Sequence, residues 1–404
     1  MSLELVFYQY AFMGNKTSFC DTLSPEERRR RDRRTPRIAI RKYAQSSFLY
    51  LYDSGSNQAL LNCCAVDHKV FRELLELFGP VFDKHTIDGD TGRIRKIVFT
   101  KNGVPKGRKR EIDAIGCLGL ILYWYRTRGS VARAVSLAFG LTSTPMYKWL
   151  KFGRRVLLSV LQKHPQAMVI EPSALEVMEY QAAIEAKYPV LKGVWAACDG
   201  LKLPLQQSTN WGIQSYYYNS WQSSTFVNSV LLFAPDGMIK MCLINAPGTW
   251  HDAVMADYGV YDRMESVWDK YKAKIVVDSA FPLAAKPYLI KSSQEDPDGA
   301  GPITVNRAAT SVRQLSEWGM RMIQGQFPRM KDKMGFEEFG ERKVIQHLMI
   351  LLYNYQTSTI GINTILNSYM RKLPKDIRKE FDGHYYDHFI DLTGNRQMNI
   401  LIVV

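Results

Sequence analysis

The chain has 404 residues, of which 46% are hydrophobic and 23% charged, and its net charge at pH 7 is +14. This composition is typical of a folded globular protein and disfavours a disordered chain, while the length predicts two or three domains. The positive charge favours a polyanionic partner, nucleic acid first. A membrane span needs about 18 or more apolar residues in a row. The longest apolar run, Ala114–Tyr125, is shorter, so we predict a buried core helix and no membrane partner.

The first 60 residues are predicted to be a poorly defined basic segment. Within it, Arg28–Lys42 holds nine basic residues and one acid. Such a block stays solvated, so we interpret it either as a nuclear-import signal or DNA-binding arm, or as a flexible lead-in. A second basic stretch, Arg93–Arg110, is predicted to be a loop or hairpin that follows a phosphate backbone or merely links two elements.

Residues 61–165 are predicted to be all-α and helix-turn-helix-like. Apolar residues at helical spacing predict a helix over 66–84, with Gly79-Pro80 as its stop. A buried helix is expected over 112–126.

Two further helices complete this predicted helical region. Ser130 is expected to cap a short helix, Val131–Phe139, and a longer helix follows over Met146–Leu161. A short helix, a glycine turn and a second helix have helix-turn-helix spacing, although any three-helix bundle gives a similar pattern. In the DNA-binding interpretation the longer helix meets phosphates or base edges through its basic residues. These are Lys148, Lys151, Arg154 and Arg155.

Residues 166–340 are predicted to form an α/β domain, and residues 341–404 a C-terminal helix and tail. The first three strands are expected to form an antiparallel meander. The fourth strand is reached through a helix, so it can lie parallel beside the first. The four predicted strands are Val194–Leu205, Thr225–Phe233, Met238–Asn245 and Lys274–Asp278.

Three acids in this domain predict a metal site. Asp199 lies in the first strand, Asp278 ends the fourth, and Glu317 lies in a helix predicted over Ala308–Gln326. Hard cations such as Mg²⁺ take carboxylate oxygens, and two such ions can clamp both oxygens of a phosphodiester displacement. We therefore predict two Mg²⁺ (or Mn²⁺) ions. The alternative for Glu317 is a surface ion-pair ladder with arginines one turn away.

Four sequence blocks stand out, namely "ACDG" with Lys202 and Pro204, "PGTWHD" (Pro247–Asp252), "VVDSAFP" (Val276–Pro282), and "SVRQLSEWGMRMIQGQF" (Ser311–Phe327). Together they resemble PIF/Harbinger-type DDE transposases, over roughly residues 110–330. The resemblance implies a ribonuclease-H-like mixed sheet flanked by helices, and a two-metal reaction. That reaction cuts double-stranded DNA at transposon ends and joins the 3′-hydroxyls to target DNA. It also implies a nuclear location, a Myb-like DNA-binding partner protein and at least a homodimer.

The resemblance also assigns roles to residues around the triad. Asp199, Asp278 and Glu317 match the catalytic acids, and Asp252 is a candidate either for a fourth metal-binding acid or for a group that supports the metal-binding acids. His251 matches the same block and is predicted to support the site without catalysing. Further DNA contacts are predicted at Lys202, Arg313 and Arg321, although the family often has glycine at the position of Arg321 and lysine at that of Gln324.

Two other interpretations stay open at this stage. In one of them the chain is no longer an active nuclease but a domesticated relative that binds DNA or a partner without cutting. A metal-dependent phosphohydrolase for small or RNA substrates is the third class, which the basic charge disfavours. The aromatic cluster around Trp211, Tyr216–Tyr218 and Trp221 either stacks on a frayed base or, as we expect, packs the loop.

Overall fold

The structure is a computed structural model. It describes residues 42–87, 94–98, 110–129, 131–281, 283, 286–291, 304–335, 339–361 and 363–370. Ser130, most of Arg93–Arg110 and all but the last residue of the basic block at 28–42 lie outside these ranges. None of the described helices is long and apolar enough to cross a membrane.

Helices dominate both ends of the described chain, and a mixed sheet lies between them. The helices are α1 (Ser47–Asp53), α2 (Asn57–Cys64), α3 (His68–Lys84), α4 (Ala114–Arg126), α5 (Val131–Phe139), α6 (Ser143–Leu161), α7 (Ala174–Lys187), α8 (Trp211–Tyr217), α9 (Asp252–Ala256), α10 (Val260–Tyr271), α11 (Val305–Gln326), α12 (Phe339–Ile360) and α13 (Thr364–Tyr369). The strands are β1 (His85–Ile87), β2 (Ile94–Lys96), β3 (Val194–Pro204), β4 (Tyr218–Asn219), β5 (Ser224–Phe233), β6 (Ile239–Pro247), β7 (Lys274–Val277) and β8 (Leu289–Lys291).

Helix α3 does not stop where the sequence predicted. It begins at the cap Asp67, whose carboxylate accepts a hydrogen bond from the backbone N–H of Val70, and it runs through Gly79 and Pro80 to Lys84. Proline inside a helix removes one backbone hydrogen bond. Here Phe78 and Phe82, on either side of that point, are fully buried, and their burial outweighs the lost bond.

Helix α6 is the centre of the helical region and packs against α3, α4, α5 and α12. Its buried residues extend along most of its length, from Met146 to Leu161. A recognition helix has to leave one face open to enter a groove. Near its first turn α6 exposes Tyr147 and Lys148. The spacing of α5 and α6 is as predicted, but of the four predicted basic residues on α6 one, Arg154, is buried.

The large sheet has the predicted mixed topology. Strand β3 is antiparallel to β5, and β5 is antiparallel to β6, which confirms the meander. Strand β7 follows the helices α9 and α10 and pairs with β3 in parallel, as expected, and β8 pairs with β7 in parallel. The α/β fold class, with a helical region before the sheet, is therefore confirmed.

Alternate residues of β3 supply two hydrophobic cores on opposite faces of the sheet, because side chains of a strand alternate in direction. Ala197 and Leu201 belong to a core shared with the N-terminal helices, α11 and α12. Ala196 and Cys198 belong to a second core under α10. The predicted helical region thus shares its core with one face of the sheet.

Candidate active site

The two strand acids are neighbours across the parallel pair β3–β7. The strand register sets Cys198 opposite Val277, so Asp199 and Asp278 are the next residues on adjacent strands, which lie about 4.8 Å apart. Alternation along β3 turns Asp199 to the same side as Ala197 and Leu201, the side covered by α11. The side chain of Asp199 is 14% exposed and that of Asp278 is 36% exposed.

Helix α11 brings the third acid over this part of the sheet. Thr304 caps the helix by accepting a hydrogen bond from the backbone N–H of Arg307. At Gly319 an added Cβ would lie 2.3 Å from the ring of Phe233 on β5, so the helix approaches the sheet where it has no side chain. Glu317 lies on the flank of the buried stripe and is 31% exposed, as predicted for a residue outside the core.

One guanidinium joins all three predicted acids. Nη2 of Arg313 lies 2.6 Å from Oε1 of Glu317. Nη1 lies 3.7 Å from Oδ2 of Asp199 and 3.8 Å from Oδ1 of Asp278. The fold therefore gathers three acids that are far apart in sequence. They surround an arginine, and the described residues include no cluster of three or more acidic, histidine or cysteine side chains ready to hold a metal ion.

Asp252 lies beside this group, on the other side of β3. Its carboxylate would be 2.5 Å from a Cβ added to Gly200, so only glycine leaves room for it there. Nδ2 of Asn228, on the neighbouring strand β5, donates a hydrogen bond of 2.8 Å to Oδ1 of Asp252. Asn228 is 2% exposed. Its hydrogen bond therefore holds the position of a half-buried carboxylate.

The electrostatics couple the three aspartates. The pKa of Asp199 is raised to about 6, mainly by burial. The charges of Asp278 and Asp252 raise it further, whereas the hydrogen bond from the backbone N–H of Gly200 lowers it. Burial also raises the pKa of Asp252, while the hydrogen bond from Asn228 lowers it. Crowded carboxylates with raised pKa values are typical of a site that binds cations or transfers protons.

Three of the predicted DNA-contact residues have acidic partners inside the protein, and their role in DNA binding stays a prediction. Arg154 is 5% exposed, and its guanidinium lies over the ring of Trp124 and 3.2 Å from Glu341. Arg155 turns to the same carboxylate, at 3.3 Å. Arg313 lies among the acids instead of facing solvent. Each of these charges already has an acidic partner inside the protein, which the basic pattern of the sequence did not reveal.

The side chains of the other predicted contact residues are exposed or partly exposed to solvent. Lys148, Lys202 and Arg321 are exposed, and Lys151 is partly exposed. His251 is also exposed, and its backbone oxygen accepts the first hydrogen bond of α9, from Met255. The prediction that His251 supports the site without catalysing stays a prediction.

The aromatic cluster is largely unpacked, contrary to expectation. Trp211 is 82% exposed and Trp221 is 92% exposed. The segment is nevertheless tied to the loop before Asp252, because Thr249 donates a hydrogen bond to the backbone oxygen of Tyr216 and Asn219 donates one to that of Gly248. The expectation that this cluster packs the loop is therefore wrong for both tryptophans, whereas Tyr217 packs against the core.

Residues 198–354 match the family described as DDE superfamily endonuclease. The matched segment contains Asp199, Asp252, Asp278 and Glu317, and it continues past residue 340 into α12. It supports a DDE-type transposase family, a class that is broader than the PIF/Harbinger resemblance. Comparison with curated proteins gave no match, and comparison with solved structures gave none either.

Enzymes of the DDE class generally use divalent metal ions, and the donor set here fits such an ion. The donor set consists of four carboxylates, whose oxygens are the ligands that Mg²⁺ and Mn²⁺ prefer. Three of them already surround one positively charged group, Arg313. Carboxylates that attract the positive charge of Arg313 can also attract a divalent metal ion.

Proposed function

We propose that the chain is a PIF/Harbinger-type DDE transposase that cuts DNA at transposon ends and joins the freed 3′-hydroxyls to target DNA. One observation carries the proposal. Acids from β3, from the residue after β7 and from α11 all lie within 4 Å of a single guanidinium. Their order along the chain, Asp, Asp and Glu, is that of the family blocks, and the matched segment contains all three.

Asp199 and Asp278 would hold two Mg²⁺ or Mn²⁺ ions between them, and Glu317 would complete the site for the second. When bound, the ions supply activation of the attacking hydroxyl and stabilisation of the leaving oxygen.

The chain itself orients Asp199 by dividing the work of its two oxygens. Oδ1 accepts a 2.7 Å hydrogen bond from the backbone N–H of Gly200, while Oδ2 is the oxygen that faces Arg313. The hydrogen bond to Oδ1 therefore fixes the carboxylate, and Oδ2 is left to face the group of acids around Arg313. Asp252, fixed by Asn228, is proposed as a fourth acid that supports the site from the opposite side of β3.

The proposed substrate is double-stranded DNA. Lys202 extends from β3 a few residues beyond Asp199, and Arg321 lies one turn beyond Glu317 on α11. Both side chains are exposed, so they are proposed to contact phosphates near the acids. Lys148 and Lys151 on α6 are proposed as contacts further away. Such contacts make affinity fall steeply with salt.

A nuclear location, a Myb-like DNA-binding partner protein and at least a homodimer are further parts of the proposal. They depend on the family resemblance and on the net charge of +14. A reaction that joins both ends of one element brings two sites together, which favours a dimer or a larger assembly.

The test is a nicking assay on duplex DNA that carries the element's ends, with Mg²⁺ or Mn²⁺. Asp199→Asn and Asp278→Asn are each expected to abolish cleavage, because neither amide can replace a charged metal ligand. Asp257→Asn, at an exposed acid near Asp252, is the matched control and should cleave normally. Full activity in either site variant removes that acid from the proposed site. DNA binding without cleavage by the unaltered protein would instead favour the domesticated alternative.

A further inference from the structure

Arg313 occupies the centre of the proposed metal site. Its Nη1 atom is almost equally far from Asp199 and Asp278, at 3.7 and 3.8 Å. These carboxylates are the ones expected to share a cation. Nη1 thus lies close to both of the carboxylates that would hold the ion.

We propose that Arg313 is a built-in competitor of the divalent ion. Its guanidinium neutralises and holds the acids in the metal-free protein, and it withdraws from Asp199 and Asp278 when metal binds. The inference rests on the proposed function, because it takes these acids to be the metal ligands. It adds a positioning residue whose positive charge opposes metal binding until the site is loaded.

The contacts of Arg313 are unequal, and this difference indicates which of them yields. The 2.6 Å contact with Glu317 has hydrogen-bond length and joins residues one turn apart on the same helix. The contacts with the two aspartates are too long for hydrogen bonds and rest on charge attraction. The guanidinium can therefore move off the aspartates while α11 stays in place and Glu317 remains near.

The charges around Arg313 explain how its guanidinium stabilises the metal-free site. Three carboxylates next to one another repel, and Asp252 behind β3 adds to the repulsion on Asp199. Lys202 and His251 also act on this group, through Asp252. Arg313 is 26% exposed, so its charge is only partly screened by water. Removing it leaves the acids without their central counterion until a metal ion replaces it.

The experiment measures Mn²⁺ binding to the full-length protein without DNA, by calorimetry, together with the unfolding temperature in EDTA and in Mn²⁺. Arg313→Gln is expected to bind Mn²⁺ about tenfold more tightly or better, because the ion no longer has to displace a positive charge that lies within 4 Å of all three acids. In EDTA the same variant should unfold at a lower temperature than the unaltered protein. Mn²⁺ should raise the unfolding temperature of the variant by more than it raises that of the unaltered protein, because a ligand that binds the folded state stabilises that state.

Two variants serve as controls. Lys192→Gln removes an exposed charge just before β3, far from the acids, and should change Mn²⁺ affinity far less. Arg313→Lys keeps a positive charge on a side chain of a different shape and should give an intermediate affinity. It also keeps the comparison usable if Arg313→Gln does not fold.

Unchanged or weaker Mn²⁺ binding by Arg313→Gln overturns the inference, and so does an unfolding temperature in EDTA that equals that of the unaltered protein. Asp199→Asn distinguishes the two levels of failure. Where the unaltered protein binds Mn²⁺ and Asp199→Asn does not, the proposed metal site stands and only the role of Arg313 is in question. Where Asp199→Asn binds as well as the unaltered protein, the proposed metal site itself fails.

Discussion

Arginine meets carboxylate at two places in this protein, with opposite balances of charge. At the contact between α6 and α12, two arginines share one acid, because Arg154 and Arg155 both pair with Glu341. At the sheet, three acids share one arginine, Arg313. The first cluster is more deeply buried: the side chains of Arg154 and Glu341 are 6% and 11% exposed, against 14% to 36% for the acids at the sheet.

The difference is the one expected between a structural ion pair and the proposed metal site. In the first cluster the ring of Trp124 also covers Arg154, at 3.8 Å, so the charge is enclosed on several sides. In the second, acids outnumber the arginine and remain partly open to water. A surplus of acid beside solvent suits cation binding. Removing an acid should therefore cost stability at the first place and activity at the second.

The largest effect is expected from Glu317→Gln. Cleavage of end-containing DNA should fall about 100-fold or more, because in the proposed function Glu317 holds a metal ion, and such a carboxylate contributes several kcal/mol to the transition state. Stability should change little, since Glu317 is partly exposed and Arg313 keeps two other acids near. Nicking rates and denaturant unfolding of the same preparations measure the two effects. Glu179→Gln, at an exposed helical acid, is the control, and equal cleavage by both variants would contradict the assignment.

Glu341→Gln should show the reverse pattern. Loss of this acid leaves Arg154 charged and buried, which typically costs about 3–5 kcal/mol of unfolding free energy. The cleavage rate per folded molecule should be unchanged, because Glu341 does not contact the acids at the sheet. Asp269→Asn breaks an exposed pair with Lys272 and should cost about 0.5 kcal/mol or less. A Glu341 variant as stable as that control would show that the buried cluster is not structural.

Much of the site followed from local sequence, and the reasons are physical. The alternating and apolar patterns of β3, β5 and β7 define strands, and a helix between two strands favours a parallel pair. This is sufficient to place Asp199 beside Asp278. Glu317 was harder to place, because its ladder with Arg313 satisfies local rules equally well. Only the tertiary contact between α11 and the sheet shows that the ladder points at two aspartates.

Other features depended on contacts that no local pattern reports. Arg154 looks like a DNA contact in sequence, but its acidic partner is 187 residues away. Asn228 was missed, although a polar side chain inside the apolar run of β5 was a signal that it has a buried partner. Gly200 was noted only as part of a motif. Its lack of a side chain admits Asp252, which becomes visible only once α9 is in place.

Gly319 tests whether the approach of α11 to the sheet matters for the site. In Gly319→Ala the new Cβ would meet the buried ring of Phe233, and such overpacking typically costs about 1–3 kcal/mol. Cleavage should also fall, because the helix that carries Glu317 and Arg313 is displaced. Gly325→Ala on the same helix is the matched control. No atom lies within 4 Å of its added Cβ, so better helix propensity should stabilise it by up to about 1 kcal/mol.

The smallest effect concerns Asp199 and pH, measured in EDTA. Burial, and then the charge of Asp278, raises the pKa of Asp199 to about 6 in the folded protein, against about 3.9 in an unfolded chain. Between these values the folded state binds more protons, so this group makes stability fall as pH rises. Asp199→Asn should therefore be more stable than the unaltered protein at pH 7.5, by on the order of 2 kcal/mol, with the difference shrinking toward pH 4.

Asp332 provides a control of opposite sign. Burial alone would raise its pKa, but hydrogen bonds from the backbone of Gly129 and from Arg128 outweigh that effect, and the pKa is lowered. Its contribution to stability is present at neutral pH and is lost as pH falls through the folded-state pKa. Asp332→Asn should therefore be less stable than the unaltered protein at pH 7.5. Urea unfolding of both variants at pH 4.5 and 7.5 checks the pair. A gain in stability for Asp199→Asn that is the same at both pH values would mean that charge does not strain the acids at the sheet.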